Sequence, residues 1–400
     1  MLLKSWLHPW YNLGNELSKT WRSRMKSDTS STSRRHQTSN KIYRYIYDSQ
    51  DFCSRQSLSR DLNLSLPTVY QHLSELMAAG LVQDSGELQS TGGRKASGLS
   101  IVPDARTAIG ISVTENQLRI SAADLRLNEL AYREIPIETI VRFADLGSLL
   151  PQVIEQFRKD FSISSEHLLG VGIALPAVMS PDSRYITAAP TLHLKDTSVE
   201  GLTAQIPYPT YVENDATCAG YAEWFLHGTP KDMAYLSLED GVGGAILLGN
   251  SPYIGENRRS AEFGHMCVEP GGLRCSCGRQ GCLEAYCSPR RLQQESGCTL
   301  QEFFRKVECH DSGCTLLWEN TLRHLAFGIY NIRMALDCNI ILGGFLTEYL
   351  VPYFPRLREY AAALNPFEST ADYLHLSVLR KHTISLGVSL HFVVEFLKYV

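Results

Sequence analysis

The sequence predicts an α/β protein in which an N-terminal winged helix-turn-helix precedes a larger α/β body carrying a metal loop. Three observations predict it. Three helical patterns followed by two extended segments fill residues 40–101. Alternating strand patterns and amphipathic helical patterns then run on from Thr107. Five of the 11 cysteines crowd between Cys267 and Cys287.

Length and composition exclude several classes first. A chain of 400 residues buries a large core and needs no disulfide scaffold. Its longest apolar runs, Asn339 to Leu346 and Ile384 to Leu397, are too short or too interrupted to span a bilayer, so no membrane insertion is expected. With 19 Tyr, 14 Phe and 5 Trp it is too aromatic for a disordered chain. An odd number of cysteines without a convincing signal peptide points to a reducing, cytoplasmic setting. Charge is uneven. Residues 1–100 hold 13 Lys+Arg against 8 Asp+Glu, whereas the remaining 300 hold 25 against 34. A polyanion partner is therefore expected at the front.

Residues 1–39 offer little to pack and are expected to form a flexible tail. The head is expected over 40–101. Lys41 to Asp48 sets Ile42, Tyr45 and Ile46 on one helical face, and Ser57 to Leu62 pairs Leu58 with Leu62. Ser65 to Ala79 aligns Val69, Leu73, Leu76 and Met77. Ser65 suits the N-cap, Pro67 the first turn and Gly80 the C-terminal stop. Leu81-Val82 and Leu99 to Ile101 then read as the strands of a wing. This order makes the third helix the one that enters a DNA major groove. Its residues Ser65, Pro67, Thr68, Tyr70, Gln71 and His72 are the candidate DNA contacts, with Gln71 suited to adenine. Arg94 and Lys95 on a glycine-rich wing suit a phosphate or a minor groove. The bland alternative is a helical protein-interaction module.

The metal loop is the most specific signal. Glu262-Phe-Gly-His265 is followed by Cys275-Ser-Cys277 and then by Cys282-Leu-Glu284. His265, Cys275, Cys277 and Cys282 form the donor set of a structural Zn2+ site, one ion per chain, with no position left open for catalysis. Thiolates favour zinc over magnesium or calcium. Gly278 and Gly281 let the loop fold back, and Cys267 and Cys287 are left over.

In these residues the chain resembles the ROK family (repressors, open reading frames and kinases). The likeness spans about residues 40–400. It includes Gly170-Val-Gly-Ile-Ala-Leu-Pro176, Val212-Glu-Asn-Asp215, the metal loop, Ile340-Ile-Leu-Gly-Gly344 and a closing helix at Leu386 to Leu397. The branch it is most similar to is that of the xylose and N-acetylglucosamine repressors. The resemblance implies a two-lobed, actin-like, ribonuclease-H-like body over 104–400, with a sugar between the lobes. It also implies that Asn214, Asp215, Glu262, His265 and Glu284 contact that sugar. The residues agree with such a body. Thr107 to Val113 and Leu118 to Asp124 form a hairpin pattern, Phe143 to Arg158 a helix, and Leu168 to Ala174 a buried strand. Met233 to Leu238 and Gly244 to Leu248 repeat the strand pattern.

Kinase members of the family carry two glycine-rich phosphate turns. Here the first reads Ser112-Val-Thr-Glu-Asn116, and the second reads Glu239-Asp-Gly-Val-Gly-Gly-Ala245, with two carboxylates beside the would-be phosphate. The resemblance therefore implies a sugar-responsive transcriptional regulator, a repressor rather than an enzyme, with Asp215 as a vestigial base. Its expected partners are operator DNA and a sugar or amino sugar. Its expected state is a homodimer or dimer of dimers on a palindromic operator. The alternative is an ATP-dependent sugar kinase with a fused DNA-binding domain. A third reading is a repressor blind to sugar and controlled by a bound protein.

Overall fold

The computed structural model describes residues 30–49, 53–87, 97–137, 143–227, 232–249, 251–379 and 382–400. The head begins with α1 (Ser30–Asp48), α2 (Arg55–Asp61) and α3 (Leu66–Ala78). A two-stranded wing follows, β1 (Val82–Glu87) and β2 (Ser97–Ile101), paired antiparallel. Helix α1 starts at Ser30 rather than at Lys41, about three turns of mostly polar sequence earlier than its apolar pattern predicts and inside the stretch read as tail. That extension is held by side chains rather than by a core. Arg35 pairs with Glu75 of α3, and Ser39 Oγ meets His72 Nδ1 at 2.8 Å.

The body contains two five-stranded sheets. The first is built from β3 (Thr107–Val113), β4 (Gln117–Ala123), β5 (Glu129–Pro136), β6 (Leu168–Leu175) and β10 (Thr210–Asn214), in the order β10-β6-β3-β4-β5. Between β6 and β10, β7 (Val178–Met179), β8 (Tyr185–Ala189) and β9 (Leu194–Ser198) form a small separate sheet. The second large sheet uses β11 (Met233–Leu238), β12 (Val242–Leu248), β13 (Ser251–Pro252), β14 (Asn339–Gly343) and β15 (Leu374–Leu376), in the order β13-β12-β11-β14-β15. Each lobe thus starts with an antiparallel meander and adds two parallel strands to the other side of its first strand. This repeated order is the actin-like fold that the ROK resemblance implies. The strand β5, the small sheet and β15 are too short or too polar to announce themselves by alternation.

Helix α4 (Phe143–Asp160) lies after β5, and α5 (Asp215–His227) leaves directly from β10. The long α6 (Ser312–Leu336) backs the second sheet, and α7 (Thr383–Tyr399) closes the chain. Helix α7 lies flat on the first sheet because glycines face it. A Cβ on Gly110 would stand 1.7 Å from the Ser385 carbonyl oxygen, and one on Gly172 2.6 Å from that of Val388. The Gly170-x-Gly172 pattern therefore serves helix-on-sheet packing.

Head and body share one core. Helix α1 makes this possible by burying two faces. Ile42 and Ile46 are buried as the pattern predicts, while Tyr45 stays half-exposed and donates to Asp61 at 2.6 Å. Tyr43 and Tyr47, unassigned by the sequence pattern, turn toward the body. Tyr43 packs edge-on to Phe396 of α7, and Tyr47 donates to the Leu125 carbonyl at 2.7 Å. Arg126 stacks over Tyr47 and donates to its carbonyl at 2.6 Å, and Asn40 donates to the Leu397 carbonyl at 2.9 Å.

Candidate functional site: an acidic cleft, a Cys/His cluster and a capped helix on the head

The cleft forms where β10 hands over to α5. Asn214 is the last residue of β10 and Asp215 the first of α5, so both side chains sit at the mouth of a helix N-terminus. Asn214 is locked. Its Nδ2 donates to the Ala177 carbonyl at 3.1 Å, and its Oδ1 accepts from the Thr217 N–H at 2.9 Å. Asp215 accepts from the Ala216 N–H at 2.8 Å. Burial pushes its carboxyl up to about 7, against that hydrogen bond and with added repulsion from Glu262 and Asp240. Around them lie Ala177, Val178, Met179, Gly243, Tyr253 and Glu262, enclosing about 590 Å³ of empty space, its open mouth included.

Beneath the cleft lies a buried ion pair that the sequence reading missed. Glu213 of β10 pairs with Arg258, and both side chains are almost wholly buried. Glu213 also accepts from Tyr211 Oη at 2.8 Å and from the Asn214 N–H at 2.8 Å. The signal for Glu213 was a carboxylate inside a buried strand. Arg258 had none, because its partner lies 45 residues away and its loop adopts a left-handed φ of 53°.

Glu262 connects the cleft to the metal loop. Its Oε2 lies 4.0 Å from His265 Nε2, and burial raises its pKa while His265 opposes the rise. The other ring nitrogen of His265, Nδ1, is 3.8 Å from Cys275 Sγ, and Cys277 Sγ is 3.7 Å from Cys282 Sγ. All four ligand atoms of His265, Cys275, Cys277 and Cys282 lie within 4.8 Å of one another. A tetrahedral ion with bonds of about 2.3 Å to sulfur separates its sulfurs by about 3.8 Å, so the donor set fits a metal of zinc's size and preference. Gly278 and Gly281 take φ of 87° and 82°, the left-handed conformation that the fold-back requires. Cys267 stays out of the metal group, and Cys287 is buried against the Thr321 carbonyl. Glu284 starts a one-turn helix and serves the protein itself. It accepts from the Val242 N–H at 3.2 Å and from Ser276 Oγ at 2.8 Å. Of the five candidate sugar contacts, Asn214, Asp215 and Glu262 thus line the cleft, while His265 and Glu284 stand on its metal side.

On the head, Ser65 caps α3 by accepting from the Thr68 N–H at 3.3 Å. Ser65, Pro67, Tyr70 and Gln71 are exposed and Thr68 is half-exposed. Arg55 of α2 sits 5.6 Å over the exposed Tyr70 ring. His72 differs from expectation. It is buried and held by Ser39, because the extended N-terminal turn of α1 covers that edge of α3. It belongs to the head's own packing and is withdrawn from the DNA-facing set. Arg94 and Lys95 lie outside the described residues.

A two-lobed α/β body with a fused winged head defines a class of fold, and comparison with known proteins identifies the family. Residues 108–383 match the ROK family model, and residues 35–83 match a model described as winged helix-turn-helix DNA-binding. The chain belongs to the ROK family. It is 27% identical over 292 residues to the xylose repressor of Bacillus subtilis, covering 70% of this chain and 74% of that one. It is 27% identical over 328 residues to the transcriptional dual regulator NagC of Escherichia coli, covering 77% and 80%. A crystal structure of a ROK family transcriptional regulator, a homologue of the E. coli MLC protein, superposes with a TM-score of 0.71 at 20% identity. It covers 91% of this chain and 96% of that one. The ROK hexokinase of Thermus thermophilus superposes with a TM-score of 0.61 at 23% identity, covering 73% and 99%. Those two likenesses are likenesses of fold.

Proposed function

We propose that this protein is a sugar-responsive DNA-binding transcriptional regulator, acting as a repressor of carbohydrate genes. One observation carries the reading. The winged head is docked, through Tyr43, Tyr47 and Asn40 of α1, onto the lobe and closing helix that carry the cleft of Asn214 and Asp215. A ligand that changes the lobes therefore has a packed route to the DNA-reading helix. The relatives named as xylose and N-acetylglucosamine repressors support it.

In this reading Asp215 and Glu262 accept hydroxyls of a sugar or amino sugar. Arg258 Nη1, buried without a protein partner and belonging to a residue that lines the cleft, is left to donate to a ligand oxygen. The metal is zinc, held by His265, Cys275, Cys277 and Cys282; its role is to fix the His265 ring, whose Nε2 faces Glu262. Zinc supplies structure here. Thr68, Tyr70 and Gln71 read the major groove, with Arg94 and Lys95 on the wing. The active form is a homodimer or dimer of dimers on a palindromic operator, and sugar lowers its affinity for DNA. No pair of the 11 cysteines forms a disulfide, and no helix among the described residues is long and apolar enough to cross a membrane.

A sugar kinase with a fused head is the second reading. It is favoured by Asp215, a buried carboxyl raised to about 7 and suited to accept a hydroxyl proton. Against it stands the acidic turn at Glu239-Asp240. Incubating purified protein with Mg-ATP and a sugar panel separates the two. The regulator reading expects no sugar phosphate, and sugar-dependent change in operator affinity.

A further inference from the structure

The acidic turn has a structural role that neither the sugar cleft nor the head accounts for. Glu239 directly follows β11 of the second lobe, and its side chain is three-quarters buried. Across the inter-lobe gap, Arg119 of β4 in the first lobe brings Nη1 to 3.8 Å from Glu239 Oε2. Arg119 is itself steadied by Glu134 of β5, at 3.2 Å. Burial pushes the Glu239 carboxyl up to about 7, and Arg119 together with the N–H of Phe345 on the second lobe, after Gly343 and Gly344, opposes that rise and favours its charged form. An arginine and a backbone N–H beyond a glycine pair make a seat for an anion. Here the chain supplies the anion. A second pair of reversed polarity lies near it. Glu115, in the β3–β4 turn of the first lobe, is 4.0 Å from Arg290, whose N–H donates to the Asp240 carbonyl at 3.3 Å.

We propose that Glu239 and Arg119 form a built-in latch between the lobes, holding them together at the glycine turn and closing that seat to polyphosphates. The reversed Glu115–Arg290 pair fixes the same register more weakly, since both partners are nearly half-exposed. The latch explains how a cleft of this architecture holds its lobes in one relation when its glycine turn carries acids. It goes beyond the sugar-sensor reading and would stand if the effector were a protein.

Hydrogen–deuterium exchange on the full-length protein tests it, with Glu239→Gln, Arg119→Gln, the double variant, Arg119→Lys and the neighbouring Asp240→Asn. Each single neutralisation is expected to speed exchange about three- to tenfold in both 113–119 and 238–243, on opposite lobes. The double variant should add nothing to either single, Arg119→Lys should keep most of the protection, and Asp240→Asn should behave as wild type. Mg-ATP should protect neither segment in the wild type. Additive effects of the two neutralisations, acceleration confined to one lobe, or protection of wild type by Mg-ATP would each overturn the latch. If Arg119→Gln fails to fold, the contrast between Glu239→Gln and Asp240→Asn still decides it. Sugar and operator binding are read in separate assays, so failure of the latch leaves that reading standing.

Discussion

The Nε2 of His265 and the Oε2 of Glu262 face each other at 4.0 Å, which makes one histidine the link between a Cys/His cluster able to hold a metal and the cleft. Its Nδ1 points the other way, toward Cys275. Replacing Cys277 by Ser removes a ligand without touching the cleft. With zinc in the knuckle as proposed, the variant should lose that metal, measured by elemental analysis, and bind sugar about 10–100-fold more weakly by calorimetry. Unchanged sugar affinity in metal-free protein would separate the two sites.

Asp215 makes stability depend on pH in a defined direction. Its folded value of about 7 lies above its ordinary 3.8, so the folded state holds the proton more tightly than the unfolded one. The contribution is full below about pH 4 and is lost as pH rises through 7. Asp215→Asn abolishes that loss. The variant should match wild type at pH 4 and exceed it by on the order of 4 kcal/mol at pH 8, read from urea unfolding. It should also bind sugar more weakly at every pH, since an acceptor has become partly a donor.

The Glu213–Arg258 pair predicts an asymmetry. Arg258→Met leaves a buried carboxylate with only the Tyr211 hydroxyl and the Asn214 N–H as donors and no countercharge, at a cost of about 3–5 kcal/mol. Glu213→Gln combined with Arg258→Met should restore part of that loss. Thermal melts of the two singles and the double measure it, and additive losses would mean that the two side chains do not act as a pair.

On the head, Gln71 and His72 are neighbours with opposite exposure. Gln71→Ala should weaken operator binding by about 1–3 kcal/mol and leave the melting temperature alone. His72→Ala should lower the melting temperature through loss of the Ser39 contact and spare the DNA-facing surface. Band-shift titration and a thermal melt of each variant distinguish them.

Much of this architecture was legible because it rests on local pattern. The α3 cap at Ser65, the β3–β4 hairpin, the all-buried β6 and the cluster of three cysteines and a histidine each announce themselves within about twenty residues. What escaped depends on partners far along the chain. Tyr43 and Tyr47 read as an unused face of α1 until Phe396 and Leu125 lie against them. His72 reads as exposed until Ser39 arrives from a turn with no apolar residue to announce it. Arg258 and Arg119 gain meaning only from carboxylates 45 and 120 positions away. Among the sugar contacts implied by resemblance, Glu284 shows how a motif residue acquires a second job, since it holds Val242 and Ser276 in place.

The central claim is that the cleft and the reading helix are one device. Operator affinity of the purified protein, measured across a panel of neutral sugars and amino sugars for wild type and Asp215→Ala, tests it most directly. The account predicts that one sugar lowers wild-type affinity at least about tenfold, a coupling near 1.4 kcal/mol, and leaves the variant's affinity unchanged. Operator binding indifferent to every sugar, or a sugar effect of equal size in Asp215→Ala, would contradict it.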